Sequence, residues 1–392
     1  MKILIGLSLA SFAYALRPTT TIRFGPEKGA FSGPHLTSET YGHVSGDRHM
    51  LTMCASKKKA ESGGCPFSRR NLLKSSTKAA GVLGAGIFLQ QGFVAGVPYY
   101  GKPDLSGKTA VVTGGNTGLG KETAVRLAQL GADVTIACRS PEKTFSALED
   151  IKAQAPGAKV QAMALDLASL SSVESFTKRY ASYTDRLDML VNNAGVMAIP
   201  DRETTEDGFE MQFGTNHLGH FRLTSGLMPS LLRSQDGRVV NLSSIAHMVS
   251  PGLDNLNAEG AGAYNPWSAY ALSKLCNVLF TKGLQRRLDE RGESSVTCSA
   301  VHPGVCRTEL GRHQFDPNGI VFGLLLPRSP REGAQTQIAC AAEPSLGKGS
   351  RVGGGYFVAP KITAKASNVA SDPAAAELLW TESERMVGRF FA

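Results

Sequence analysis

No Cys-x-x-Cys pair and no Cys/His cluster occurs among the 392 residues; the seven cysteines (54, 65, 138, 276, 298, 306 and 340) are scattered. That spacing speaks against a metal site and against a disulfide framework. Cys138 and Cys298 stand in apolar, strand-like runs and read as buried thiols. The body of the chain also lacks a solenoid-type repeat and any low-complexity run. Basic charge is missing where a nucleic-acid binder needs it. The formal net charge is +9, but residues 1–78 hold twelve Lys/Arg against four Asp/Glu, leaving +1 to the rest. The basicity belongs to the N-terminal segment and not to a folded face, so nucleic acid is excluded as a partner.

Residues 1–100 read as a targeting region. Met1-Lys2 precedes an apolar run, Ile3 to Leu16, that ends in small residues before Arg17-Pro18. A basic start, a short apolar core and a small-residue exit are the layout of a secretory signal, over residues 1–16. Residues 17–67 are rich in Ser, Thr, Gly and basic residues, show no useful amphipathic period, and read as an unstructured, transit-like stretch. Ser68-Arg69-Arg70-Asn71-Leu72-Leu73-Lys74 is a twin-arginine motif ahead of an uncharged stretch, Ala79 to Tyr100. Residues 68–100 thus make an export signal or a membrane anchor, with a buried helix the lesser alternative given the glycines. The order of these pieces resembles the stepwise targeting of proteins to plastids of secondary origin, and implies a thylakoid lumen or membrane destination. The alternative address is the endoplasmic reticulum or another secretory membrane.

From residue 101 to 392 the chain reads as one catalytic domain of alternating strands and helices. Thr109-Ala110-Val111-Val112 is a short, buried type of strand that runs into Thr113-Gly114-Gly115-Asn116-Thr117-Gly118-Leu119-Gly120 and then a helix. Strand, glycine turn and helix form the setting of a phosphate-binding turn: glycines let the backbone approach, and the helix start offers free N–H groups. Further strands are expected at 133–138, 159–165, 187–191, 238–242 and 295–301. Regular alternation implies an α/β fold, a Rossmann-type doubly wound parallel sheet with helices on both faces, its site at the carboxyl ends of the strands. NAD-binding versions carry an acid after the second strand to hold the ribose. Here Arg139 and Ser140 stand there, with Lys143 close behind. A guanidinium binds a 2′-phosphate that a carboxylate would repel, so NADP(H) is expected over NAD(H).

Tyr270 and Lys274 lie one helical turn apart and share a face. A free phenol titrates near pH ~10. A cation beside it is expected to lower that value and make the tyrosine a usable acid/base.

Taken together, Thr113 to Gly120, Asp166, Asn192-Asn193-Ala194-Gly195, Asn216, Ser244, Tyr270-x-x-x-Lys274 and Pro303-Gly304 with Thr308 resemble the short-chain dehydrogenase/reductase family. The stretches Thr215 to Phe221, Val301 to Leu310 and Arg331 to Thr336 are similar to its retinol dehydrogenase-like branch. The resemblance implies that Tyr270 exchanges a proton with the substrate oxygen, Ser244 hydrogen-bonds that oxygen, Lys274 holds the nicotinamide ribose and Asn216 positions a relay water. It further implies that Gly114, Asn116, Thr117, Gly118, Leu119 and Gly120 cradle the pyrophosphate and that Asp166 and Leu167 flank the adenine. Asn193, Ala194, Gly195, Pro303, Gly304, Val305 and Thr308 would serve the nicotinamide side. The branch, with the uncharged run Ile320 to Pro327, points to a small lipophilic substrate such as a retinoid, carotenoid derivative or fatty aldehyde. Residues 246–268 and 314–328 are expected to line the mouth; membrane association and a homo-oligomer are further expectations. Two alternatives stay open: a catalytically idle dinucleotide-binding sensor or scaffold, and a tetrapyrrole reductase.

Overall fold

The backbone alternation seen in the sequence resolves, in a computed structural model, into a parallel sheet wound with helices on both sides. The structure describes residues 97–311, 328–350 and 352–391. The signal-like, transit-like and twin-arginine segments, the apolar stretch as far as residue 96 and the run Ile320 to Pro327 lie outside the described residues.

In chain order the elements are β1 (Thr109–Thr113), α1 (Gly118–Gln129), β2 (Asp133–Cys138), α2 (Pro141–Gln154), β3 (Val160–Ala164), α3 (Leu170–Tyr183) and β4 (Met189–Asn192). A one-turn helix and a π-turn (Gly214–Leu218) lead into α4 (Gly219–Leu232), then β5 (Gly237–Leu242), α5 (Pro266–Glu290) and β6 (Val296–Val301). The last part holds α6 (Gln335–Ala342), β7 (Gly355–Ala359), β8 (Ile362–Thr363) and α7 (Pro373–Val387). The sheet order is β3-β2-β1-β4-β5-β6-β7-β8. All pairings are parallel except β7 with β8. The order reverses between β1 and β4, the crevice where such sheets take ligands.

Alternation along each strand divides the core in two. Val111, Ala137, Leu190, Val239, Cys298 and Tyr356 pack on one face, with the apolar sides of α3, α4, α5 and α7. Val112, Ile136, Val191, Val240, Val301 and Phe357 pack on the other, with α1, α2 and α6. Burial on both faces is why these strands read as near-continuous apolar runs. Edge strand β3 is covered less, and its residues are half-buried or exposed. The folded body reaches back at least to Tyr99, which is buried and donates its N–H to Gln335 Oε1 at 3.0 Å.

Helix α5 carries the Tyr/Lys pair. Asn265 caps it, its Oδ1 accepting from the N–H groups of Trp267 (3.1 Å) and Ser268 (3.0 Å), and Pro266 occupies the first turn. Its far end is held by α7: the Arg287 guanidinium lies 4.0 Å from the Trp380 ring centroid and pairs with Glu377 at 2.8 Å.

Candidate active site

The glycine turn is built to keep side chains out. Gly114 (φ +63°) and Gly118 (φ +54°) take the left-handed conformation that glycine adopts without strain. A Cβ on Gly120 would sit 2.3 Å from Gly114 O and 2.5 Å from Asn193 Nδ2, so α1 presses its first turn onto the ends of β1 and β4. Thr117 leaves the N-terminal amides of α1 uncapped by its side chain, and no acid stands in that first turn. Bare amides at a helix start, reached over a turn with no side chains, fit an anionic diphosphate.

The end of β4 is stitched to the end of β1. Asn193 and Ala194 each donate a backbone N–H to Thr113 Oγ1 at 2.9 Å, and Asn193 Nδ2 donates to Thr113 O at 2.8 Å. Gln337, buried on α6, donates to Leu119 O and Asn193 Oδ1 at 3.3 Å and to Thr123 Oγ1. After β6 the chain turns at Gly304 (φ +86°), with the Cys306 thiol against Pro303 O at 3.4 Å. That loop returns to the glycine turn, since a Cβ on Gly118 would lie 3.3 Å from Thr308 Cγ2.

Asn216, Ser244, Tyr270 and Lys274 lie beside this turn. A Cβ on Gly195 would be 3.0 Å from Asn216 Oδ1 and 3.6 Å from Lys274 Nζ. Asn216 sits in the π-turn, where its Oδ1 accepts from Val196 N–H (2.8 Å) and its Nδ2 donates to Val196 O and Ser273 Oγ (both 2.9 Å). Ser273 Oγ donates in turn to the main-chain oxygen of Tyr270 at 2.8 Å. Lys274 is buried, donates to Leu242 O at 3.2 Å, and has its Nζ 5.6 Å from the Tyr270 ring centroid. The Tyr270 phenol has the Ser244 side chain as hydrogen-bond partner. Ser244 Oγ also caps the 3₁₀ turn Ile245–Val249, accepting from Ala246 N–H at 3.2 Å.

The electrostatics differ from the sequence expectation. Burial pushes the Tyr270 phenol up to about 12, against a smaller lowering by Ser244, and burial pulls Lys274 down to about 8. The ammonium does not acidify the phenol in this site. Both groups are stripped of water, which disfavours the charge of each, and Lys274 spends a proton on the Leu242 carbonyl.

Two predicted groups lie further out. Arg139 is exposed directly after β2, while the preceding Cys138 thiol meets the backbone of Gly115 and Asn116. Ser140 Oγ bonds Glu142 at 3.1 Å, and Lys143 pairs with Glu309 at 3.4 Å, joining the start of α2 to the loop after β6. Asp166 caps its own turn, Oδ1 accepting from Ala168 N–H at 3.0 Å, and Leu167 O lies 2.4 Å from where a Gly219 Cβ would stand.

Several residues of the site went unread in the sequence. Gly115 is obligatory, since a Cβ there would meet Ile136 Cγ2 at 2.6 Å. His247 Nδ1 donates to Ser244 O (2.7 Å) and His302 Nδ1 accepts from Ile245 N–H (3.3 Å), so two imidazoles brace the backbone around Ser244. The His247 ring packs edge-on against Tyr356, centroids 4.7 Å apart, and the buried Tyr356 hydroxyl has no hydrogen-bond partner among the described residues.

Comparison with known proteins agrees with this geometry. The short chain dehydrogenase family matches residues 108–318. Human retinol dehydrogenase 13 is 45% identical over 316 residues, covering 78% of this chain and 92% of its own. Human polyprenol dehydrogenase is 40% identical over 294 residues, covering 73% of this chain and 87% of its own. Among solved structures, an uncharacterized protein from Mycobacterium Paratuberculosis superimposes with a TM-score of 0.60 at 35% identity, covering 76% of this chain and all (100%) of that one. A glycine turn on an uncapped helix, a tyrosine and lysine buried together one turn apart, and these relatives place the chain in the short-chain dehydrogenase/reductase family of oxidoreductases.

Proposed function

We propose that this protein interconverts an alcohol and a carbonyl on a lipophilic substrate with NADP(H), Tyr270 acting as the acid/base. The observation that carries the reading is the run of contacts from the glycine turn through Gly195, Asn216 and Lys274 to the Tyr270–Ser244 pair. The bound nicotinamide supplies or accepts the hydride. Gly114 to Gly120 would hold its diphosphate, Lys274 its ribose, and Asn193 to Gly195 with Pro303 to Thr308 its ring end; Asp166 and Leu167 would flank the adenine.

With its phenol pushed up to about 12, Tyr270 is protonated at neutral pH. That is the form required to deliver a proton to the oxygen of a carbonyl being reduced; oxidation requires the phenol to lose it first. Ser244, already on the phenol, would hydrogen-bond the same oxygen and stabilise its developing charge. NADP(H) is favoured by Arg139 and Lys143 in place of an acid after β2. The lipophilic substrate is supported by the relatives, named for retinol and for a polyprenol, both long isoprenoid alcohols.

The test is NADPH oxidation with retinal and long-chain isoprenoid and fatty aldehydes. Tyr270→Phe should abolish turnover while NADPH still binds; appreciable residual turnover overturns the mechanism. Arg139→Asp should move the kcat/KM ratio toward NADH, and an unchanged ratio refutes the cofactor assignment. The targeting reading of residues 1–100 rests on their sequence, and a plastid or secretory-membrane address is its consequence. A reporter fused to them that stays diffuse in the cytosol refutes it. Among the described residues no helix is long and apolar enough to cross a membrane.

A further inference from the structure

His220, in the first turn of α4, takes no part in the chemistry proposed above, yet it is buried (2% exposed) and engaged at both ring nitrogens. Nδ1 lies 3.0 Å from the main-chain oxygen of Asn216 and Nε2 lies 2.9 Å from Thr113 Oγ1. A carbonyl only accepts, so Nδ1 carries the proton and Nε2 is left bare. The Thr113 hydroxyl donates to the bare Nε2 at 2.9 Å in preference to Val191 O at 3.4 Å, while its two lone pairs accept the Asn193 and Ala194 amides at 2.9 Å. Both ring nitrogens and both lone pairs of the hydroxyl are thus engaged. A second proton on the ring would face an oxygen whose lone pairs are both occupied. Burial and the neighbouring Lys274 charge bring His220 down to about 4, in keeping with a neutral ring. The charged group acting on it is Lys274 on α5; its own ring bears on His217 in the π-turn, which burial holds near 3.

The two ends of this imidazole belong to different halves of the site. Thr113 closes β1 where the glycine turn starts. Asn216 opens the string Asn216–Ser273–Tyr270, each link 2.8 to 2.9 Å. We propose that His220, as a neutral Nδ1-protonated ring, is a positioning residue that fixes the nucleotide-binding turn against the Asn216–Ser273–Tyr270 string, and so sets the approach of nicotinamide to the proton donor. This rests on the oxidoreductase reading of the same site.

The test compares wild type with His220→Phe, which keeps a ring and deletes both polar ends. His220→Asn, whose amide can still donate to Asn216 O, and Thr113→Val, which removes the other end, complete the set. Misplacement of reacting groups by about 1 Å costs on the order of a hundredfold, so His220→Phe should lose kcat on that scale and bind NADPH more weakly. His220→Asn should recover part of kcat without recovering NADPH affinity. Thr113→Val also takes the acceptor from the Asn193 and Ala194 amides, so it should cost more than His220→Phe, but the double variant should lose less than the sum of the two because the shared tie is counted in both. Nitrogen NMR of the wild-type imidazole should show the Nδ1–H tautomer, unchanged from pH 6 to 9. Wild-type kcat and NADPH affinity in His220→Phe, or an Nε2–H tautomer, would overturn the proposal. If His220→Phe does not fold, the tautomer and the split between kcat and affinity in His220→Asn decide it. Loss of the oxidoreductase reading is recognised separately, by a wild type that turns over no aldehyde, and the tautomer and NADPH affinity still report on the tie.

Discussion

Lys274→Met isolates what the buried ammonium costs the fold. Lys274 drops from 10.5 to about 8 through loss of hydration, and a shift of that size corresponds to about 3 kcal/mol. Below pH 8 both the folded and unfolded chains carry the proton, so the fold bears this whole penalty. Between 8 and 10.5 the folded chain gives up its proton while the unfolded chain keeps it, so stability rises with pH. Above 10.5 neither state is charged and the penalty is gone. Methionine keeps most of the stem but loses the hydrogen bond to Leu242 O (3.2 Å), worth about 1 kcal/mol. The variant should therefore be more stable than wild type by about 2 kcal/mol at pH 7, and inactive. Urea unfolding of both proteins at pH 7, 8.5 and 10 reads the difference. Tyr270 titrates alike in both and cancels. A gap that stays constant over this range, or a wild type more stable at pH 7, would refute the reasoning.

Two further substitutions probe the cradle and the wall behind Ser244. Gly120→Ala puts a methyl 2.3 Å from Gly114 O. Backbone must move to admit it, at about 1–3 kcal/mol, so a lower Tm and weaker NADPH binding are expected; normal binding would show that the turn is not the nucleotide cradle. Tyr356→Phe removes a buried hydroxyl with no partner among the described residues. An unmade hydrogen bond of this kind costs about 1–3 kcal/mol, so the variant should equal or exceed wild type in Tm, and a clear loss would disprove the absence of a partner.

How much of this could be read in the chain itself divides along the range of the interactions. β1, β2, β4, β5 and β6 were legible because strands buried on both faces must be apolar at successive positions, and β3, on the open edge, from the regular alternation around it. The turn Gly114 to Gly120 was legible because its glycines answer to local backbone needs. β7, β8 and α7 went unread: β7 follows Gly353-Gly354 and itself opens on Gly355, and nothing in Tyr356-Phe357-Val358-Ala359 distinguishes a strand from a buried loop without its partner β6. The π-turn around Asn216 is set by contacts far away in sequence. A Cβ on Gly214 would lie 2.5 Å from Thr205 Cγ2 and one on Gly219 would lie 2.4 Å from Leu167 O, so the turn is gripped at both ends. Spacing could bring Tyr270 and Lys274 to one face, but not reveal how little water would reach them.

That last difference bears on how the site works. A phenol near 12 and an ammonium near 8 are each held toward the neutral form by the same burial. In the protein alone, Ser244 is the group that eases the phenol toward ionisation, and Lys274 is turned to a carbonyl on β5. Above pH 8 the lysine can act on the tyrosine as a cation only if its own charge is favoured. A nearby anion does that, because an opposite charge raises a lysine's pKa where desolvation has lowered it. The glycine turn proposed to hold the diphosphate starts at Gly114, against Ala194, and Lys274 stands at Gly195, one residue along the same loop. Filling that turn with an anion would therefore keep Lys274 charged above pH 8 as well, where the empty site lets its proton go, and would carry the cation beside Tyr270 into the alkaline range.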